Sequence, residues 1–210
     1  MYMKRVWSIA MSVVVTLVAT TVVSCSNQTD TTLNSQQSAI QRYLTGSHSP
    51  KLIAEEDIAT SLDDEPAFYT HWGLDIFRYI ATYYDEGRDS KPTFEAGDKA
   101  EIYYTAYIFT NGKPSYANMF ATNQQEAIEY LESQGLTPST EWSTDPYIVT
   151  LGNGDILESL ETALEGCHEG DVVEVYLTFE AGYGNKPVGM VDPKTAQMWE
   201  IKIHSVTKKQ

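Results

Sequence analysis

The stretch Tyr147-Ile148-Val149-Thr150-Leu151-Gly152, followed by Asp155-Ile156-Leu157-Glu158-Ser159-Leu160-Glu161-Thr162-Ala163-Leu164-Glu165-Gly166 and then Gly170-Asp171, decides the fold of this chain. It reads as a short strand, a tight turn, a helix over 155–165, and a turn into another strand. Ile156, Leu160 and Leu164 recur at helical spacing, and Leu157 widens the stripe. Such a stripe packs a helix onto a sheet.

Strands surround this helix in the sequence. Lys99 to Phe109 is rich in aromatic and β-branched residues, which favour a pleated surface. Thr110-Asn111-Gly112-Lys113 supplies a hairpin turn. Thr122 to Glu126 reads as a helix start, with Ala127, Ile128 and Leu131 on one face and Gly135 as the stop. Further strands are expected at 146–151, 171–179 and 196–206. From Ile76 to Tyr84, both parities of the alternation carry apolar residues, so that strand is expected to be covered on both faces. The pattern predicts an α+β fold, an antiparallel twisted sheet wrapped on one core helix. A short amphipathic helix around Ala39, Ile40, Tyr43 and Leu44 is expected to pack on it as an N-terminal helical extension.

Gly182-Tyr183-Gly184 follows Gly170 by twelve residues. Together with the strand–turn–helix stretch, that order and spacing resembles the FKBP family, the tacrolimus-binding type of peptidyl-prolyl isomerase. The resemblance covers roughly residues 94–207. It implies an apolar pocket that accepts a proline ring and needs no cofactor and no metal. It implies that the Leu157 N–H and the Tyr183 hydroxyl donate hydrogen bonds to the substrate. Tyr104, Phe120 and Tyr147 become wall aromatics, Asp155 and Ile156 the turn beside the pocket, and Leu160 and Trp199 its floor and back. Met190 and Val191 are placed at its rim. Three departures stand out. Ala121 occupies a position where the family usually has Asp, Leu160 one where many members have Trp, and residues 114–119 form an insertion after the first hairpin.

The N-terminus reads separately. Lys4 and Arg5 precede an apolar run from Val6 to Val23, which ends at Ser24-Cys25. This has the layout of a secretory signal. The cysteine after a small residue resembles the lipobox of bacterial lipoproteins, which implies cleavage after residue 24 and lipidation of Cys25. The alternative is a single membrane anchor, for which the run is about long enough. Lipidation of Cys25 leaves Cys167 without a partner, as a small buried residue. Residues 25–36 are polar and read as a flexible tether, and 37–93 as an N-terminal extension. Within the extension, 45–72 reads as an irregular acidic surface. Its carboxylates lack the turn glycine of a calcium loop, and His71 has no second ligand at metal spacing.

The net charge of −15 becomes −17 once a leader carrying Lys4, Arg5 and no acids is removed. That excludes a nucleic-acid partner, whose phosphates require a basic patch. The expected partners are proline-containing client proteins, the membrane through a lipid anchor, and tacrolimus-type ligands. The expected location is the bacterial cell envelope, at the outer membrane. The leading expectation is a prolyl isomerase acting outside the cytoplasm. Ala121 and Leu160 motivate an alternative, a binding or chaperone module without useful catalysis. A third reading is an interaction lipoprotein that uses the acidic 45–72 segment.

Overall fold

The computed structural model describes residues 31–136, 138–139 and 142–210. The leader and Cys25 lie outside them. Two compact units are distinguished, residues 1–35 and 36–210. Of the first, residues 31–35 are described and are helical. Helix α1 spans 31–42, so residues 31–36, expected in the tether, are helical instead. A π turn follows at Tyr43–Ser47.

The strands are β1 (Ile53–Ala54), β2 (Phe68–Trp72), β3 (Ile76–Ile80), β4 (Lys99–Ile108), β5 (Met119–Thr122), β6 (Tyr147–Thr150), β7 (Val172–Leu177) and β8 (Gln197–Thr207). They form one sheet in the order β1-β2-β3-β7-β8-β4-β5, with β6 also paired to β4. All pairings are antiparallel except the short parallel contact of β1 with β2. Strands β4 and β8 pair over their length, from Lys99 opposite Thr207 to Ile108 opposite Gln197. Beside them, β4 holds β6 at its start and β5 at its end.

Alternation along these strands gives the sheet two buried faces. Val173, Val175, Leu177, Trp199, Ile201 and Ile203 enter one core. Their neighbours Tyr176 and Met198 enter the other. Strand β3 lies between both, with Ile80 in the first core and Phe77 and Tyr79 in the second. Coverage on both faces was the expectation from its sequence. The strand ends at Ile80, however, and residues 81–84 turn away.

Helix α3 (Glu158–Leu164) covers the first face, burying Leu160, Ala163 and Leu164. Full burial of each leucine stabilises by roughly 1.5–3 kcal/mol. The helix is shorter than the expected 155–165, because Asp155–Leu157 form the turn leading into it and Leu157 is its N-cap. The second face is covered by Ile40, Tyr43 and Leu44, as expected for the extension, and by helix α2 (Gln125–Ser133) through Ala127 and Leu131. Gly135 ends α2 as expected. At φ 74° it donates to the Glu132 carbonyl while Leu136 donates to Leu131, the bond pattern of a Schellman cap.

Two expectations are corrected. The 45–72 segment is not wholly irregular, since β1 and β2 extend the sheet beyond β3. Thr110–Lys113 is not a tight hairpin turn either. Residues 109–118 separate β4 from β5 and include a 3₁₀ turn at Tyr116–Asn118.

Arg88 and Asp171 fasten the extension to the strand after α3. The guanidinium donates to both carboxylate oxygens, Nε to Oδ1 at 2.8 Å and the terminal nitrogen to Oδ2 at 2.7 Å. Both residues are buried. Asp171 also accepts the His168 amide at 2.7 Å. Removing one member leaves the other as an uncompensated buried charge. Arg88→Met is therefore expected to lower unfolding free energy by about 3–5 kcal/mol in denaturant titration; a loss below about 1 kcal/mol would show that the pair does not hold the extension in place.

Candidate functional site

An apolar cavity of about 330 Å³ opens between the first face of the sheet and the entry to α3. Strand β4 contributes Ile102 and Tyr104, and β8 contributes Trp199 and Ile201. The other walls come from Tyr147, the Asp155-Ile156-Leu157 turn, Leu160 and Tyr183. Residues far apart in sequence meet here because β4 and β8 are register neighbours: Tyr104 faces Ile201, and Ala106 faces Trp199.

The aromatic walls brace one another. The Tyr104 ring lies 5.6 Å from Trp199 and 6.4 Å from Tyr147, centroid to centroid. Phe120 meets Trp199 edge-on at 5.6 Å and Tyr183 at 6.2 Å. Edge-to-face contacts of this kind add to area burial and fix ring orientation. Phe120 supports two cavity rings from behind without lining the cavity itself.

The polar groups divide into committed and free. The Tyr147 hydroxyl donates to the Asp155 carbonyl at 3.0 Å, tying β6 to the turn. The Asp155 carboxylate accepts the Thr150 amide at 2.8 Å and the Asn153 side chain at 2.9 Å. Those donors hold it below the usual carboxylate range. By contrast, the Leu157 N–H and the hydroxyls of Tyr104 and Tyr183 find no partner among the described residues. Burial raises the pKa of both tyrosines, with a smaller contribution from the neighbouring phenol. Both hydroxyls therefore remain protonated donors at neutral pH.

Of the predicted site residues, Tyr104, Tyr147, Asp155, Ile156, Leu157, Leu160, Tyr183 and Trp199 converge on the cavity. Met190 and Val191 do not. Paired backbone hydrogen bonds between Val188 and Val191 fold their loop into a tight turn. This leaves Val191 buried and Met190 64% exposed, so neither forms the expected rim. Ala121 faces Ala106 across β4 and β5, so this position brings no carboxylate to that edge.

Three contributors were missed. Ile102 and Ile201 share strand parity with Tyr104 and Trp199, a two-residue alternation visible in the sequence. Asn123 is buried and holds β4 from the side. Its side-chain oxygen accepts the Tyr104 amide at 2.6 Å, and its nitrogen donates to the carbonyls of Ile102 and Asp145.

Tyr183 depends on the glycine before it. A Cβ on Gly182 would lie 2.6 Å from the Gln197 amide nitrogen and 3.3 Å from the Thr178 carbonyl oxygen. Gln197 is fully buried, and its side-chain oxygen accepts the Trp199 indole N–H at 3.0 Å. Gly182→Ala is thus expected to push Gln197 and disturb both Trp199 and Tyr183. The expected outcome is a loss of about 1–3 kcal/mol in thermal or denaturant unfolding, together with weaker ligand binding in the cavity. Unchanged stability and affinity would mean that the loop absorbs the methyl group.

The sequence profile described as FKBP-type peptidyl-prolyl cis-trans isomerase matches residues 91–204. The curated protein "FK506-binding protein 1" of Aspergillus oryzae is 23% identical over 116 residues, spanning 55% of this chain and 89% of that protein. Among solved structures, a peptidyl-prolyl cis-trans isomerase from Pseudomonas syringae pv. tomato aligns over 63% of this chain and 76% of its own, at 19% identity and a TM-score of 0.43. The three FKBP domains of wheat FKBP73 align over 67% of this chain and 52% of theirs, at 15% identity and a TM-score of 0.48. With the profile covering more than half of its length, this chain belongs to the FKBP-type peptidyl-prolyl cis-trans isomerase family.

Proposed function

We propose that the 330 Å³ cavity is where this isomerase binds proline and turns the X-Pro bond, on client proteins outside the cytoplasm. The observation that carries the reading is the pairing of an apolar lining with uncommitted donors, the Leu157 N–H and the Tyr183 hydroxyl. Rotation about an amide costs about 18–20 kcal/mol because conjugation is lost on the way. The twisted amide carries less dipole than the planar one, so an apolar enclosure favours it. The reaction breaks no bond, and no nucleophile is required. The protein's task is to hold the proline ring against Trp199, Ile156 and the tyrosine faces while donors fix the flanking carbonyls. The same cavity would accept tacrolimus-type ligands.

Proline isomerisation limits refolding of many proteins to tens or hundreds of seconds. The chain is expected to accelerate such a step in a client, and tacrolimus to suppress the acceleration. Tyr183→Phe should lower turnover by roughly two- to tenfold, the equivalent of one hydrogen bond of about 0.5–1.5 kcal/mol, with little change in stability. Unchanged turnover would make Tyr183 a packing residue. No acceleration by a well-folded wild-type sample would favour the binding-module reading, which Ala121 supports by standing where the family usually has Asp.

The extracytoplasmic setting rests on the sequence before residue 26. Lys4-Arg5, the apolar run and Cys25 support export followed by lipid attachment, at the outer membrane of a bacterial envelope. Mass spectrometry of the mature protein should find an N-terminal Cys25 carrying acyl chains; an intact Met1 would contradict the anchor.

A further inference from the structure

A second, larger cavity, of about 710 Å³, lies on the opposite face of the sheet. Its floor is the outward parity of β7 and β8, where Glu174 and Glu200 stand directly opposite each other. Like charges in that arrangement destabilise a sheet. The two carboxylates are treated differently. Glu174 accepts from the Tyr176 hydroxyl at 2.5 Å and lies 2.9 Å from Nε2 of the buried His48. The Glu200 carboxylate has no hydrogen bond or ion pair with any described residue. Burial, then the Glu174 charge, raises its pKa. Lys113, which lines the cavity from an exposed loop, offsets this only in part and forms no ion pair with it.

Five tyrosines contribute to the walls, beside Leu131, Leu136 and Met198. Tyr107 and Tyr43 are buried beside the carboxylates. At the mouth, the rings of Tyr116 and Tyr130 stack at 4.5 Å and 31°. Tyr116 belongs to the 114–119 insertion and Tyr130 to α2, so this part of the wall comes from segments that do not line the proline pocket, while β4 and β8 serve both cavities from opposite faces.

We propose that this cavity binds an organic cation, an aliphatic ammonium or guanidinium group, which the Glu200 carboxylate holds against the tyrosine faces. The size is that of a small-molecule site. An unpaired carboxylate beside π faces is the arrangement that attracts a desolvated cation. A net charge of −15 adds long-range attraction of the same sign. A hard metal ion fits less well, since calcium takes six to eight oxygen ligands and Glu174 is already committed to Tyr176 and His48.

Isothermal titration of the full chain tests this with 1,5-diaminopentane, with Nα-acetyl-lysine amide, and with neutral 1,5-pentanediol. At least one amine is expected to bind and the diol is not. Tighter binding of the diamine would identify a free polyamine-like ligand, and tighter binding of the lysine amide a side chain of another protein. Glu200→Gln should weaken amine binding by about tenfold or more, while its thermal midpoint stays level or rises because the repulsion with Glu174 is gone. Lys113→Gln should strengthen amine binding, since it removes the internal competitor. Equal binding of diol and amines, unaltered affinity in a folded Glu200→Gln, or no gain in Lys113→Gln would overturn the proposal.

Discussion

Helix α3 has two turns, and a helix that short cannot satisfy its own ends. Its position depends on partners elsewhere in the chain. At its C-terminus, the Arg78 guanidinium on β3 donates to the carbonyls of Ala163 at 3.0 Å and Glu165 at 3.1 Å. Near its start, Ser159 donates to the Ala181 carbonyl at 2.6 Å, joining the helix to the loop that carries Tyr183. Gly154 donates to the Glu161 carboxylate at 2.9 Å across the entry turn. Buried leucines hold the helix to the sheet between these ties. Because its first residues form a cavity wall, whatever fixes α3 also fixes the site.

The N-terminal extension therefore bears on the pocket without touching it. Arg78 lies in the extension and caps α3, and Arg88 closes on Asp171 at the strand that follows the helix. The extension also supplies β1 to β3 and part of the second core. In doing so it covers a sheet face that would otherwise expose Tyr176 and Met198. The acidic character of 45–72 is compatible with this, since Glu55, Glu56 and Asp57 lie on a 3₁₀ turn with no buried residue while Phe68 and Tyr69 of β2 turn inward.

Most of the candidate site was legible in the sequence through the family resemblance at Tyr104, Tyr147, Asp155–Leu157, Tyr183 and Trp199. Helical spacing alone marked Ile156, Leu160 and Leu164 as a packing stripe and ran the helix over 155–157, which form the turn before it. Strand alternation would have placed Ile102 and Ile201 had it been followed beyond the aromatic positions. The failures have physical causes. Met190 and Val191 were assigned by analogy to a loop whose course is set by backbone bonds between Val188 and Val191, which no side-chain pattern reveals. Strand β2 was hidden because the acids upstream of it dominate the composition, although Phe68-Tyr69-Thr70-His71-Trp72 is itself β-favouring. The roles of His48, Asn123 and Arg78 arise from contacts across long sequence separation, and local pattern carries no trace of them.

The account centres on the Leu157 amide, which borders an apolar cavity and has no acceptor within the described protein. The direct test is NMR of the full chain, labelled at backbone nitrogen, titrated with a short peptide containing one X-Pro bond. The Leu157 amide should shift downfield on binding, together with residues around Tyr183 and Trp199, and exchange peaks should link the cis and trans forms of the peptide. Peptide-induced shifts confined to other surfaces, with no enhanced cis–trans exchange, would contradict it.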